Sequence, residues 1–371
     1  MPVVGSDAFT ATDHAMMAEA LRLAERGLWT TDPNPRVGCV IAHGDEVVGR
    51  GWHERAGGPH AEVAALAEAG ERAAGACAYV TLEPCSHHGR TPPCADALIE
   101  AGPARVICAM RDPHPHVDGN GIERLGRAGI EVAVGLMEPA ARALNPGFVS
   151  RIERGRPWVR AKLAGSLDGR SIGPDGKSQW ITGEAARRDG RRWRARAGAV
   201  LTGIETVLAD DPGLDPRIDD AARKPLVVVA DSRGRLPPTA RLLGTGAGCL
   251  HAVAAGAPAS PASCERLEIE AGRGGRLRLD RLLAMLAERE INELHVEAGA
   301  TLTGALLAAG LVDELLVYQA ATLIGADGGA MVRLPGIDTL DRRLRLCEIE
   351  RRRVGDDWRI RFRPADESTI T

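Results

Sequence analysis

The sequence predicts an α/β protein built as two layered domains, and three observations carry that expectation. At 371 residues the chain exceeds the ~250–300 residues at which a single core stops growing. Short β-branched runs alternate with helix-length segments in both halves, the pattern of sheets covered by helices. Between the halves lies a turn-rich, charged stretch from Asn145 to Pro157, a boundary signal.

Each element has its own warrant. Asp13 to Arg26 reads as a helix opened by Thr12 or Asp13 as the cap. Gly38 to His43 and Glu46 to Gly51 read as strands joined by the turn His43-Gly44-Asp45. A helix from Ala61 to Ala69, a strand from Ala78 to Leu82, a helix from Cys94 to Ala101 and a strand from Arg105 to Ala109 follow. Gly121 to Ala128 is helical and Ile130 to Val134 extended. Asn145-Pro146-Gly147 signals a turn, and Arg151 to Pro157 a charged connector, so the domains are expected over residues 1–150 and 157–371. In the second half the strand-like runs are Trp158 to Ala164, Ala199 to Thr202, Leu226 to Ala230, Glu293 to Glu297 and Asp313 to Gln319. Helices at Gly183 to Ala195 and Thr301 to Ala309 separate some of them, and Leu344 to Arg363 alternates like an edge hairpin. No fixed-period repeat occurs.

Composition narrows the function. Lys+Arg number 47 against 50 Asp+Glu, a net charge of −3, so overall basicity does not point to nucleic acid or an anionic membrane. Aromatics make up 3%, too few for a base-stacking surface. Met1 to Thr10 lacks the features of a signal peptide, and the longest uncharged stretch, Leu242 to Cys264, is rich in Gly, Pro and Ser rather than apolar enough to span a bilayer. A cytoplasmic protein is expected. Clustered cysteines there point to metal or catalysis. Cys39, Cys77, Cys108, Cys249, Cys264 and Cys347 are isolated and read mostly as small buried hydrophobes.

The sharpest local signal is His60-Ala61-Glu62 followed by Pro84-Cys85 and Cys94. One His and two Cys are three zinc ligands that leave a tetrahedral corner open for water. Glu62 stands beside the ligand, where a carboxylate takes the water proton and delivers it to a leaving amine. The H-x-E…P-C arrangement is the signature of zinc deaminases, although here Ser86 to Pro93 intervene between the cysteines where two residues are usual. Two other readings stand beside it: a closed structural zinc site with His87 or His88 as fourth ligand, and a solvent or substrate role for those histidines.

With these residues in view the chain resembles a known family. Pro33-Asn34-Pro35-Arg36-Val37-Gly38-Cys39-Val40, Gly51-Trp52-His53, Pro59-His60-Ala61-Glu62 and the run from Thr81 through Glu83-Pro84-Cys85 to Pro93-Cys94 look like the bifunctional riboflavin-biosynthesis deaminase/reductases. The long spacing between the cysteines is a feature of that family. The resemblance implies a cytidine-deaminase-like three-layer N-terminal domain. Its reaction would be hydrolytic deamination of a diaminopyrimidinone carrying a phosphoribosylamino group. Asn34 and His53 would hold the pyrimidine and Arg90 the phosphate; a solvated loop cation is the other reading of Arg90. Arg111 to Gly121 matches with His114-Pro115 where the family has Asn-Pro, and reads as a turn on the site rim.

In the second half, Val296 to Gly304 follows a strand and opens a helix, a place that favours phosphate, or a Gly-rich turn with no ligand. It is neither a P-loop nor a dinucleotide fingerprint. Lys162 to Arg170, Ser178-Gln179-Trp180-Ile181-Thr182-Gly183 and Gly203 to Leu214 resemble the reductase half of the same family. That resemblance implies a dihydrofolate-reductase-like C-terminal domain using NADPH. Ala164, Trp180, Thr206, Asp210, Ser232 and the stretch Gly299, Ala300, Thr301, Leu302, Thr303, Gly304, Ala305 would line the cofactor. Ser178, Arg194, Leu214, Arg217 and Glu297 would hold substrate, Arg194 and Arg217 as phosphate clamps. Lys162 and Asp168 would orient the ribose end, and Arg233 would meet the cofactor 2′-phosphate. Trp180 as a core residue and Asp210 as a turn carboxylate stay open. Ala298 stands where the family has Gly, a strained fit if φ there is positive, and Glu205 stands where Gly is frequent. The expected partners are a small phosphorylated pyrimidine and further copies of the chain, with no nucleic acid and no membrane. The competing functions are a nucleic-acid deaminase, a zinc-stabilised scaffold, and a deaminase whose second domain has decayed.

Overall fold

The computed structural model describes residues 9–86, 93–114, 119–216 and 224–365. The chain divides into two units, Met1–Gly155 and Arg156–Thr371.

The first unit opens with α1 (Ala11–Glu25), capped by Thr10 rather than by Thr12 or Asp13. Thr10 Oγ1 accepts the Asp13 N–H at 3.1 Å while the Asp13 carboxylate accepts the Thr10 N–H at 2.8 Å. This reciprocal box satisfies donors that a helix start leaves unpaired. Five strands follow: β1 (Gly38–His43), β2 (Glu46–Trp52), β3 (Cys77–Val80), β4 (Arg105–Cys108) and β5 (Glu131–Val134). They pair in the order β2-β1-β3-β4-β5. β1 is antiparallel to both neighbours, and β3, β4 and β5 run parallel.

Strand alternation sends successive side chains to opposite faces. Cys39 and Ile41 meet Ala65, Leu98 and Leu125 of the helices α2 (Ala61–Ala69), α3 (Cys94–Ala101) and α4 (Asn120–Arg127). Val40 and Ala42 face the other way, into a core with Met17, Tyr79, Ala141 and Phe148 from the side of α1, α5 (Glu138–Leu144) and α6 (Pro146–Arg154). Three layers result. α6 corrects the expected connector: Asn145-Pro146-Gly147 starts a helix, because Pro is pre-organised for a first helical turn, and Phe148, Val149 and Ser150 are buried along it. Glycine brings β2 against α2. A Cβ on Gly49 would lie 2.2 Å from the Ala65 carbonyl, and one on Gly51 would lie 2.1 Å from that of Ala61.

The second unit contains β6 (Trp158–Ser166), β7 (Arg170–Ile172), α7 (Glu184–Arg196), β8 (Ala199–Gly203), α8 (Ile204–Asp210) and β9 (Leu226–Ala230). Then come β10 (Cys249–Ala254), β11 (Glu265–Ile269), α9 (Leu279–Glu288), β12 (Glu293–Val296), α10 (Ala300–Ala308), β13 (Glu314–Ala320), β14 (Gly329–Ala330), β15 (Leu346–Val354) and β16 (Asp357–Pro364). The sheet order is β11-β10-β9-β8-β12-β6-β13-β16-β15, with β14 and β7 paired separately. β15 and β16 form the expected antiparallel edge hairpin. β10 lies inside the Gly-, Pro- and Ser-rich stretch and is buried at every position. Cys249 and Cys264, read as isolated, are joined as a disulfide with Cα atoms 4.7 Å apart. Among the described residues no helix is long and apolar enough to cross a membrane.

One face of the central strands carries charge. Arg160 of β6 is 1% exposed and lies between Glu293, at 3.0 Å, and Glu314, at 3.1 Å. Arg196 also pairs with Glu293 and Arg361 with Glu314. The Trp193 ring of α7 lies 4.6 Å from the Arg160 guanidinium carbon and 5.1 Å from that of Arg361. Burial pushes the Glu314 carboxyl up, but Arg160 and Arg361 outweigh it and hold it at about 2.

Removing one partner of a buried ion pair leaves an uncompensated charge, at a cost of about 3–5 kcal/mol. Arg160→Met is therefore expected to destabilise this unit by about that amount in chemical unfolding. The Glu314 carboxyl lies below its ordinary value of 4.5 in the fold, so its contribution is complete above that pH and is lost as the pH falls toward about 2. Acid titration of the wild-type protein should show this loss, and Glu314→Gln should flatten it.

Candidate functional site

His60 caps α2 and Cys94 opens α3, so two helix starts meet at one place. Cys85 reaches the same place from the loop after β3. His60 Nδ1 lies 3.0 Å from Cys94 Sγ and 3.6 Å from Cys85 Sγ. The three ligand atoms all lie within 4.8 Å of one another. Zinc–sulfur and zinc–nitrogen bonds at tetrahedral angles set such atoms about 3.5–3.8 Å apart, so the residues fit one common ion. The Cys94 N–H donates to Cys85 Sγ at 3.3 Å, and a helix start favours thiolate there. The Cys94 thiol and then His60 pull the Cys85 thiol down, while the Cys94 thiol is pushed up by its contact with Cys85 and by burial.

Glu62 occupies the first turn of α2 and is 3% exposed. Burial raises its carboxyl to about 7. Beside it the His53 and His60 rings stand edge to face, 5.4 Å apart. His53 Nδ1 donates to the Pro59 carbonyl at 2.9 Å, which leaves Nε2 to accept from Asn34 Nδ2 at 3.1 Å. Burial lowers the His53 pKa, consistent with this neutral tautomer. The Asn34 loop is itself held from a distance. Asn145 Oδ1 accepts the Arg36 N–H and Asn145 Nδ2 donates to the Arg36 carbonyl, both at 2.8 Å.

In the second unit the helix starts of α8 and α10 abut. The Gly299 N–H donates to Thr206 Oγ1 at 3.1 Å, and a Cβ on Gly203 would touch Leu302 at 3.4 Å. Ala298 is not among the positive-φ residues, so its side chain is accommodated without the anticipated strain. Within the stretch 299–305, Thr303 and Gly304 turn inward. Thr303 Oγ1 donates to the Ala298 carbonyl at 3.3 Å, and a Cβ on Gly304 would lie 1.7 Å from the Arg333 carbonyl. Gly299 and Thr301 are exposed, with Ala300, Leu302 and Ala305 half-buried. Ser178 donates to Asp210 at 2.8 Å. Ala164 is half-buried near the end of β6. Ser232 Oγ accepts the Leu277 N–H at 3.2 Å, and Glu205 pairs with Arg235 at 2.7 Å. Trp180 is 68% exposed with the Arg187 guanidinium 4.7 Å over its ring, so it is not a core residue. Leu214 is buried with a φ of 55°. Arg90, Arg217, His87, His88 and His116 lie outside the described residues.

Arg194 grips both oxygens of Glu297, at 2.5 and 2.8 Å, and donates to the Asp215 carbonyl at 2.7 Å. Burial works to raise the Glu297 carboxyl, but Arg194 holds it well below the ordinary range. Burial pushes the Lys162 amine down, against the pull of Glu297. Sequence reasoning passed over His295. It is fully buried, neither ring nitrogen has a hydrogen-bond partner, and Nε2 lies 3.5 Å from Glu297. The available signal was the alternation Glu293-x-His295-x-Glu297 along a buried strand. Glu83, part of the motif leading into Cys85, and Asn145, a turn signal, carry no sign in the sequence of the contacts that they make.

Two family models match the chain: the cytidine and deoxycytidylate deaminase zinc-binding region over residues 10–110 and the RibD C-terminal domain over residues 157–358. The chain is 48% identical over 358 residues to riboflavin biosynthesis protein RibD of Escherichia coli, covering 93% of this chain and 97% of that protein. It is 44% identical over 372 residues to the Haemophilus influenzae RibD, covering 96% and 98%. The solved structure of Acinetobacter baumannii RibD, form 2, aligns with a TM-score of 0.86 at 42% identity, covering 95% of this chain and 99% of that one. A deaminase/reductase from Thermotoga maritima aligns with a TM-score of 0.85 at 31% identity, covering 95% and 99%.

The purified protein should contain one equivalent of zinc per chain. His60→Ala and Cys85→Ala should each bring zinc, measured by elemental analysis, to background.

Proposed function

The chain belongs to the RibD family of bifunctional riboflavin-biosynthesis deaminase/reductases, and from that premise we propose how its own residues divide the work. The first unit deaminates 2,5-diamino-6-(5-phosphoribosylamino)pyrimidin-4(3H)-one. The second reduces the ribosyl chain of the product to ribityl with NADPH. The observation that carries the first assignment is the meeting of His60, Cys85 and Cys94 within 4.8 Å, beside the buried carboxyl of Glu62.

Bound zinc supplies a Lewis acid that makes water a nucleophile at neutral pH. Asn34, held by His53, presents its amide to the pyrimidine. Glu62 takes one proton from the attacking water and passes it to the departing amine nitrogen, so that ammonia leaves; the second water proton ends on the neighbouring ring nitrogen, and a ring carbonyl remains.

In the second unit the abutting starts of α8 and α10 offer backbone N–H groups to the cofactor phosphates. Ala164, Trp180, Thr206, Asp210 and Ser232 line the cofactor's path with Gly299 to Ala305, and Arg233 meets its 2′-phosphate. Ser178, Arg194, Leu214, Arg217 and Glu297 hold the substrate, with Arg90 on the phosphate in the deaminase site. NADPH carries the hydride, and the protein contributes positioning. Neither a nucleic-acid deaminase nor a decayed second domain is favoured by a family match that extends through both halves.

A cytoplasmic location and a homo-oligomeric assembly belong to the same proposal. Leu346, Ile349 and Trp358 stand exposed on the edge hairpin at 40%, 41% and 42%, where another copy could cover them.

The test separates the two activities. Glu62→Gln should lower ammonia release by roughly 10²–10⁴-fold, with NADPH oxidation on deaminated substrate unchanged. Arg194→Ala and Arg217→Ala should do the reverse. Parallel loss of both activities in every variant would overturn the division into separate sites.

A further inference from the structure

We propose that Glu83 is the positioning residue of the metal centre: its carboxylate locks the start of α4 onto the Glu83–Cys85 loop and so sets where the Cys85 sulfur stands. The inference rests on the zinc reading above and goes beyond its ligands. Glu83 is 3% exposed. Its Oε1 accepts the Gly121 N–H at 3.0 Å and the Ile122 N–H at 3.3 Å. Its Oε2 accepts the Gly119 N–H at 3.1 Å and the Asp112 N–H at 3.3 Å. A carboxylate offers about four lone-pair sites, so this one is saturated by main-chain donors.

The arrangement answers a need of α4. The Gly119 cap has no side chain to accept the first N–H groups, which a helix start leaves unpaired. Glu83 supplies the acceptor from another element, and its negative charge suits the helix end. The contact is also steric. A Cβ on Gly121 would lie 2.0 Å from the Pro84 carbonyl, so α4 packs directly on the peptide that leads into Cys85. On the other side the Cys85 carbonyl accepts the Ala95 N–H of α3 at 3.1 Å. The metal loop is thus held between two helices, by Glu83 on one side and by α3 on the other.

Residues outside a metal's ligand set tune it by orienting the ligands, and losing one typically costs 10–100-fold in metal affinity. Glu83→Gln keeps the size of the side chain but turns an N–H toward the N–H groups of Gly119 and Asp112. Zinc affinity of the full-length protein, measured against a chromophoric chelator, should fall by about 10–100-fold. The sulfur-to-cobalt absorption band of the cobalt-loaded protein should weaken and shift. Amide exchange at Gly119, Gly121 and Ile122 should speed up in the metal-free protein as well. NADPH oxidation should be unchanged, reporting an intact second unit.

Cys85→Ser is the control for the zinc reading. Wild-type zinc affinity in that variant overturns the reading itself. Loss of zinc in Cys85→Ser together with wild-type affinity and cobalt spectrum in Glu83→Gln overturns the role of Glu83 alone. If Glu83→Gln does not fold, Glu83→Asp decides, because it keeps the charge and draws the carboxylate back by one methylene from the N–H groups of Gly119, Gly121 and Ile122. The same loss of affinity supports the proposal, and an unchanged affinity and spectrum overturn it.

Discussion

Two helices must begin at the same point. α2 starts at His60 and α3 at Cys94, and the first unit is arranged so that both starts face the Cys85 loop. The electropositive end of a helix favours a thiolate and stabilises anionic chemistry near it. Small residues make the meeting possible. Ala61, Ala65 and Ala69 line α2 where it lies on the sheet, and Gly49 and Gly51 let β2 come within backbone distance of it. Larger side chains there would lift α2, and with it the imidazole and the Glu62 carboxyl.

The second unit holds its functional residues by a different means. Its central strands carry charge on one buried face, where Arg160, Glu293 and Glu314 are each paired. Arg160 sits between Glu293 and Glu314, which Arg196 and Arg361 also engage. Buried charge is tolerated only when paired and hydrogen-bonded. The pair Arg194–Glu297 extends this pattern beyond the end of β12. His295, next to Arg160 in the strand register, is the exception. Burial pushes it to about 3, so it stays uncharged between cations.

Much of the architecture was legible. The strand of Gly38–His43 and the helices Ala61–Ala69 and Cys94–Ala101 stand where periodicity put them, because each buries one face and carries clear ends. The errors have local causes. Thr10 displaced Thr12 and Asp13 as the cap because Asp13 serves the reciprocal bond three residues inside the helix. α6 looks like a turn and a charged connector in the sequence because Asn145-Pro146-Gly147 signals a turn and Arg151 to Arg156 is mostly charged, yet Phe148 and Val149 are buried and dock it. β10 was hidden by the Gly, Pro and Ser around it, although its own six residues are buried throughout.

For the site, the sequence by itself determined the chemistry: an imidazole, two thiols and a carboxyl whose types and order admit few roles, because ligand identity is a property of side chains. Tertiary structure decided what holds those groups. Asn145 reaches Arg36 across 109 positions, Glu83 reaches Gly121 across 38, and Arg194 reaches Glu297 across 103. No local pattern encodes such pairs. Each exists because burial removes water from a polar group and leaves it to find its partner in whatever segment the fold has brought alongside.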